Sequence, residues 1–156
     1  MRAAILVLFA VLCLSGCFSL RSPESFQVQR QLIRHIEHNC SPGKPCQLCL
    51  RDITSFDWDW MYVFAVGVSP VERRKVVGVD GVETSDLEGE LVFTKDRRIV
   101  HQEPVPEGIE EPIKNEIWFS ELVNTGQHAT YSSDVEFLVI QGTSKNGPTF
   151  SLSPVR

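Results

Sequence analysis

The sequence predicts an α+β domain: an N-terminal helix packed on a single, mainly antiparallel sheet, with short additional helices. Three observations carry this. Apolar residues recur at helical spacing near the start of the domain, where Phe26, Leu32, Ile33 and Ile36 can share one face. Most of the remaining chain consists of short aromatic and β-branched runs separated by turn residues. No strand–helix–strand rhythm runs through it, which argues against a parallel sheet.

The elements follow in order. Ser22-Pro23 reads as a cap with proline at the first helical position, starting a helix over about 23–38 that Asn39 and the Ser41-Pro42-Gly43 turn end. Residues 48–54 and 58–68 read as strands, the second being the best central strand of the chain. Ser69-Pro70-Val71-Glu72 is a capping box and predicts a short helix over 70–77. An acidic loop from Asp80 to Glu88 follows. Residues 90–94 and 99–103 flank Lys95-Asp96-Arg97-Arg98 as a hairpin. Pro104, Pro106 and Pro112 then mark a loop. Residues 113–123 suit a helix with Ile117, Trp118 and Leu122 inward, or a strand at Ile117-Trp118-Phe119. Residues 135–141 and 149–152 are strands joined through Ser144-Lys145-Asn146-Gly147, whose Asn-Gly is a strong turn signal.

The N-terminus has a different character. Met1-Arg2 precedes an apolar run from Ala3 to Leu14 and then Ser15-Gly16-Cys17, the layout of a secretory signal peptide. The run is shorter than the roughly 20 residues a permanent membrane helix needs. Leu14-Ser15-Gly16-Cys17 resembles the lipobox of bacterial lipoproteins at all four positions. That resemblance implies cleavage after residue 16 and a covalent lipid on Cys17, with no other cofactor. Residues 17–22 then read as a short tether, and the length of the remainder suits one globular periplasmic domain over residues 23–156. Two or more acyl chains hold a protein on a membrane face stably. Phe18 stands where Asp favours inner-membrane retention in Gram-negative members of the family, so the outer membrane, periplasmic side, is the expected location. The formal charge of −5 becomes −6 when Arg2 is lost, an unsuitable balance for nucleic acid, whose phosphates call for Lys and Arg.

Residues 53–64 are similar to an I-T-x-F-x-W-D-x-x-Y-x-F pattern of small uncharacterised Gram-negative lipoproteins, carried here by Ile53, Thr54, Phe56, Trp58, Asp59, Tyr62 and Phe64. Leu91-Val92-Phe93 before a charged turn extends the likeness. Some lipoproteins of this general size neutralise toxins delivered into the periplasm.

Within the domain, His35, His38, Cys40, Cys46 and Cys49 have the donor types zinc prefers. An oxidising compartment favours a disulfide among Cys40, Cys46 and Cys49 instead, and no metal site is expected. Cys40 with Cys46 or Cys49 would pin the helix end to the first strand. Cys46-Gln47-Leu48-Cys49 has the spacing of a redox pair, though it leads into a strand where a redox motif would open a helix. Asp57-Trp58-Asp59-Trp60 places both tryptophans on one face of a strand, as core or as an exposed contact patch. Asp80, Glu83, Asp86, Glu88 and Glu90 form one acidic run. Glu103, Glu107, Glu110, Glu111 and Glu116 form another; either suits a solvated loop or a docking surface for a basic partner. His128, Ser132 and Asp134 share the letters of a catalytic triad, but G-x-S-x-G, H-E-x-x-H and phosphate-binding glycine loops are missing.

The expectation is therefore a non-catalytic protein-binding lipoprotein, with Asp80, Glu83, Asp86, Glu88, Trp58 and Trp60 as candidate contacts. Its partner would be a basic toxin or an envelope protein. An envelope assembly or maintenance factor is the alternative, followed by a thiol-redox or metal-handling protein.

Overall fold

The computed structural model describes residues 26–82, 88–105, 116–125, 127–145 and 147–155. The segments expected as signal peptide (1–16) and tether (17–22), with Cys17, lie outside them. The order is α1 (Gln27–Asn39), β1 (Cys46–Cys49), β2 (Trp60–Phe64), α2 (Pro70–Val77), β3 (Gly89–Lys95), β4 (Arg98–Val105), β5 (Glu116–Phe119), α3 (Ser120–Thr125), β6 (His128–Ser132), β7 (Glu136–Ser144) and β8 (Gly147–Pro154).

The α+β class stands, but the strands form two four-stranded sheets where one was predicted. The first runs β1-β7-β8-β5 and the second β4-β3-β2-β6. Every pairing is antiparallel except β5 with β8. Two sheets arise because inward residues alternate along strands from both halves of the chain. Leu48, Ile117, Phe119, Phe137, Val139, Phe150 and Leu152 from the first sheet bury against Met61, Val63, Leu91, Phe93, Ala129 and Tyr131 from the second. Neither inner face could leave water unless it met the other.

α1 adds Val28, Leu32 and Ile36 to this core, a spacing of four that keeps them on one face. A second, smaller core lies on the opposite side of the second sheet, where Phe64 and Val92 meet Val68, Val77 and Val82 around α2.

Several local signals act as read. Ser69 caps α2 by accepting the Glu72 N–H, Pro70 opens the helix, and Gly78 closes it in the left-handed conformation. Lys95 pairs directly with Arg98, so Asp96 and Arg97 make a two-residue hairpin loop with φ of 48° and 59°. Those are the signs a type I′ turn requires. Ser144 pairs with Gly147 in the same way, although Asn146 lies outside the described residues.

Other expectations need correction. The strand predicted over 58–68 covers only Trp60–Phe64, because Gly67 at φ 85° turns the chain toward α2. The strand predicted over 48–54 is Cys46–Cys49, followed by a 3-10 turn at Leu50–Asp52. At residues 116–119 the strand alternative holds. Ile117 and Phe119 go inward and Trp118 outward, contrary to the helix reading. β6 was not foreseen. Its short His-Ala-Thr-Tyr-Ser run has only Ala129 and Tyr131 facing the core, and it forms because the free edge of β2 accepts it.

The described start of α1 also differs from the prediction, since Phe26 is non-helical and offers no side-chain cap. Ser22 and Pro23 lie outside the described residues. The cap comes from Glu103 on β4, 75 residues away. Its carboxylate accepts the N–H groups of Val28 at 2.9 Å and Gln29 at 3.0 Å, while the Gln29 amide donates to the Pro104 carbonyl at 2.7 Å. His101 Nε2 lies 2.9 Å from the same carboxylate, and its ring stacks on Phe56. A negative group at a helix N-terminus satisfies orphan donors and meets the positive end of the helix dipole.

Candidate partner-binding surface

The 53–64 segment is a brace for the β3–β4 hairpin, built from side chains of alternating role. The Trp58 indole N–H donates to Thr54 Oγ1 at 3.0 Å, and its ring meets Phe93 edge-on at 5.3 Å. Phe56 also contacts the Phe93 ring edge-on. Asp59 accepts the Asp96 N–H at 2.9 Å, steadying a turn whose two non-glycine residues have positive φ. Lys95 donates to Asp57 at 2.8 Å. The hydrogen bond and charge of Lys95 hold the Asp57 carboxyl below its usual range, and Asp57 in turn raises the Lys95 ammonium.

The two tryptophans therefore do not share a face. Trp58 is 1% exposed and belongs to the core, because residues 57–59 precede the strand and escape its alternation. Trp60, the first residue of β2, is 48% exposed on the outer face of the second sheet. Ser132 and Thr94 are its cross-strand neighbours, and Tyr62 and Thr130 stand in the next row. α2 covers the far end of this face but stops short of Trp60. The result is an aromatic side chain held on a rigid sheet with hydroxyl groups around it. Ser132 also donates to Asp134, and that bond holds the Asp134 carboxyl below its usual range.

The acidic runs divide between structure and surface. Asp80 is exposed and Glu88 half-buried, the latter with its backbone carbonyl accepting from Arg73 at 2.8 Å. Glu83 and Asp86 lie outside the described residues, as do Glu107, Glu110 and Glu111. Glu90 and Glu103, which sequence grouped with the solvated charges, are both buried. Glu90 pairs with Arg73 at 2.8 Å and Gln102 donates to it; Glu103 caps α1. A charge at a position that alternates with apolar neighbours on a strand was the available signal.

Cys40 and Cys46 form a disulfide that joins the end of α1 to β1 across six residues. It takes two of the five candidate zinc donors, and the His38 ring nitrogen Nδ1 faces the Arg34 carbonyl at 2.7 Å. Cys49 is free and half-buried, with its thiol against the Ser133 carbonyl. Cys46 and Cys49 stand three residues apart on one extended strand, hence on opposite faces and roughly 10 Å apart, too far for a C-x-x-C pair. Closing so short a loop restricts the unfolded chain by about 2 kcal/mol. The paired change Cys40→Ser/Cys46→Ser is expected to lower unfolding stability by that amount while keeping the fold, as urea titration followed by circular dichroism would show.

His128 and Ser132 stand at opposite ends of β6, the first opposite Phe64 and the second opposite Trp60. That separation does not assemble a triad. Among the described residues no helix is long and apolar enough to cross a membrane. No family model, no curated protein and no solved structure matches this chain.

Proposed function

We infer that the chain is a membrane-anchored periplasmic lipoprotein whose domain is a non-catalytic protein-binding module, an immunity or inhibitor protein against a periplasm-acting toxin. The anchor rests on the resemblance of Leu14-Ser15-Gly16-Cys17 to a lipobox, and the outer-membrane location on Phe18, where Asp would favour the inner membrane. The observation that carries the binding part is Trp60. It is a large aromatic side chain left half-exposed on a sheet whose other aromatic residues are more covered, at the end of the face that α2 leaves open. Trp is enriched among residues that dominate binding energy, and preorganisation on a sheet lowers the entropy lost on association.

The test uses the lipidated chain in a Gram-negative envelope, recovered with its partners after mild solubilisation and compared with three variants. Cys17→Ala is expected to abolish incorporation of labelled palmitate. Trp60→Ala is expected to weaken capture of the partner at least tenfold, about 2 kcal/mol at a hot spot. Asp86→Lys with Glu88→Lys separates the acidic-loop version of the surface from the aromatic one. A stoichiometric partner that is toxic when expressed alone in the periplasm supports immunity. Recovery of only cell-wall or membrane components, unchanged in Trp60→Ala, moves the reading to envelope assembly or maintenance.

A further inference from the structure

The outer face of the first sheet lies on the opposite side of the main core from Trp60 and has a different chemistry. Register places Ile140 on β7, Ser151 on β8 and Trp118 on β5 side by side across it. In the next row Gln47, Leu138 and Ser153 are neighbours, and in the row beyond Ile140 stand Gly142 and Thr149. Ile140 is 52% exposed and Trp118 41%. Among the described outward side chains the one charge is Glu136, at the end of β7, and register gives Glu116 the β5 place beside Thr149, at the far edge of the face.

The relief alternates. Leu138 and Ile140 make a ridge along β7, Trp118 stands on β5, and Ser151 and Ser153 make a trough between them. The trough is about 10 Å across from ridge to ridge, two strand spacings. At its end Thr149 lies over Gly142, where a Cβ would meet Thr149 Oγ1 at 2.8 Å, so the face stays low there.

We propose that this face is where two copies of the chain meet. The charge pattern selects a second copy. A chain with net charge −5 repels itself at most of its surface. The central rows of this face, Gln47–Leu138–Ser153 and Ile140–Ser151–Trp118, carry no charge, and the Glu136 and Glu116 positions are kept to its ends. Such a face is where two identical acidic molecules approach at least cost. The face offers no Lys or Arg among its described positions for lipid phosphate, and its centre offers no carboxylate for a basic partner. Shape points the same way. A two-fold axis that offsets the sheets by one strand seats the Leu138–Ile140 ridge of each copy in the Ser151–Ser153 trough of the other, the self-complementarity an isologous interface needs. The dimer leaves both Trp60 surfaces pointing away from the junction.

The test is cross-linking of the full chain in a bacterial envelope, with a photoreactive phenylalanine analogue placed at Ser151 in one strain and at Thr130, beside Trp60, in another. Irradiation is expected to give a species of twice the chain's mass from position 151 and not from position 130. Tagged and untagged copies should co-purify in that species. Adding Ile140→Lys sets two like charges against the interface and should reduce the species more than tenfold. Because Ile140 is exposed, the amount of folded chain should stay the same. Cross-links from position 151 only to lipid or to chains of other mass, or no cross-link with the chain present at its normal level, would overturn the proposal. Equal yield in Ile140→Lys would overturn it as well.

Discussion

Glu103→Ala is expected to destabilise the domain by about 3–5 kcal/mol, the cost of removing the shared acceptor of two buried amides and the His101 ring. The side chain of Glu103 is completely buried. Its loss strips the first-turn amides of Val28 and Gln29 of their acceptor and leaves His101 facing a void. Each buried donor without a partner costs about 1–3 kcal/mol, and α1 has no side-chain cap of its own at Phe26 to replace the carboxylate. Glu103→Gln keeps one acceptor oxygen and should lose less than alanine does. Urea unfolding measures the totals. Hydrogen exchange at Val28 and Gln29 localises the effect, since both amides should exchange faster in Glu103→Ala while those of β2 follow only the global change. Unaltered protection at these two positions would mean that the helix start is held by something other than this carboxylate.

The second large effect is expected at Arg73, which is 1% exposed and fixes α2 to the outer face of the second sheet. Its guanidinium donates to Glu90 and to the carbonyls of Val68, Ala65 and Glu88, and its carbon Cζ lies 5.6 Å from the centre of the Phe64 ring. Arg73→Met fills much of the space but leaves Glu90 buried without its cation, at a cost of about 3–5 kcal/mol. Adding Glu90→Gln removes the stranded charge and is expected to recover a large part of that loss. Gln102 still faces the new amide, so one hydrogen bond is retained. A double-mutant cycle on unfolding free energies reads the coupling directly. Additive losses would show that the ion pair contributes nothing beyond its separate packing terms.

These two residues show where sequence reading stops. Ser69-Pro70-Val71-Glu72 specified α2 to the residue, because a cap and the helix it starts are neighbours in the chain. The Lys95–Arg98 turn was legible for the same reason. Glu103 and Glu90 looked like members of acidic surface runs, and only their position on inward or covered rows of β3 and β4 shows that they are structural. Trp58 and Trp60 likewise seemed a matched pair. The strand begins between them, which sends one into the core and leaves the other outside.

By itself the sequence determined the α+β class, the α2 cap and the hairpin turns at Lys95–Arg98 and Ser144–Gly147, and the proposed anchor rests on the resemblance of Leu14-Ser15-Gly16-Cys17 to a lipobox. All are patterns set by residues within a few positions of one another, where backbone geometry and side-chain spacing act directly. Tertiary structure decided that the strands divide into two sheets, that Cys40 takes Cys46, and that β6 completes an edge. It also decided that a carboxylate 75 residues away caps α1. These depend on which surfaces meet once water is excluded. Burial makes an unpartnered charge or amide costly enough to be matched across the fold, whatever the separation along the chain.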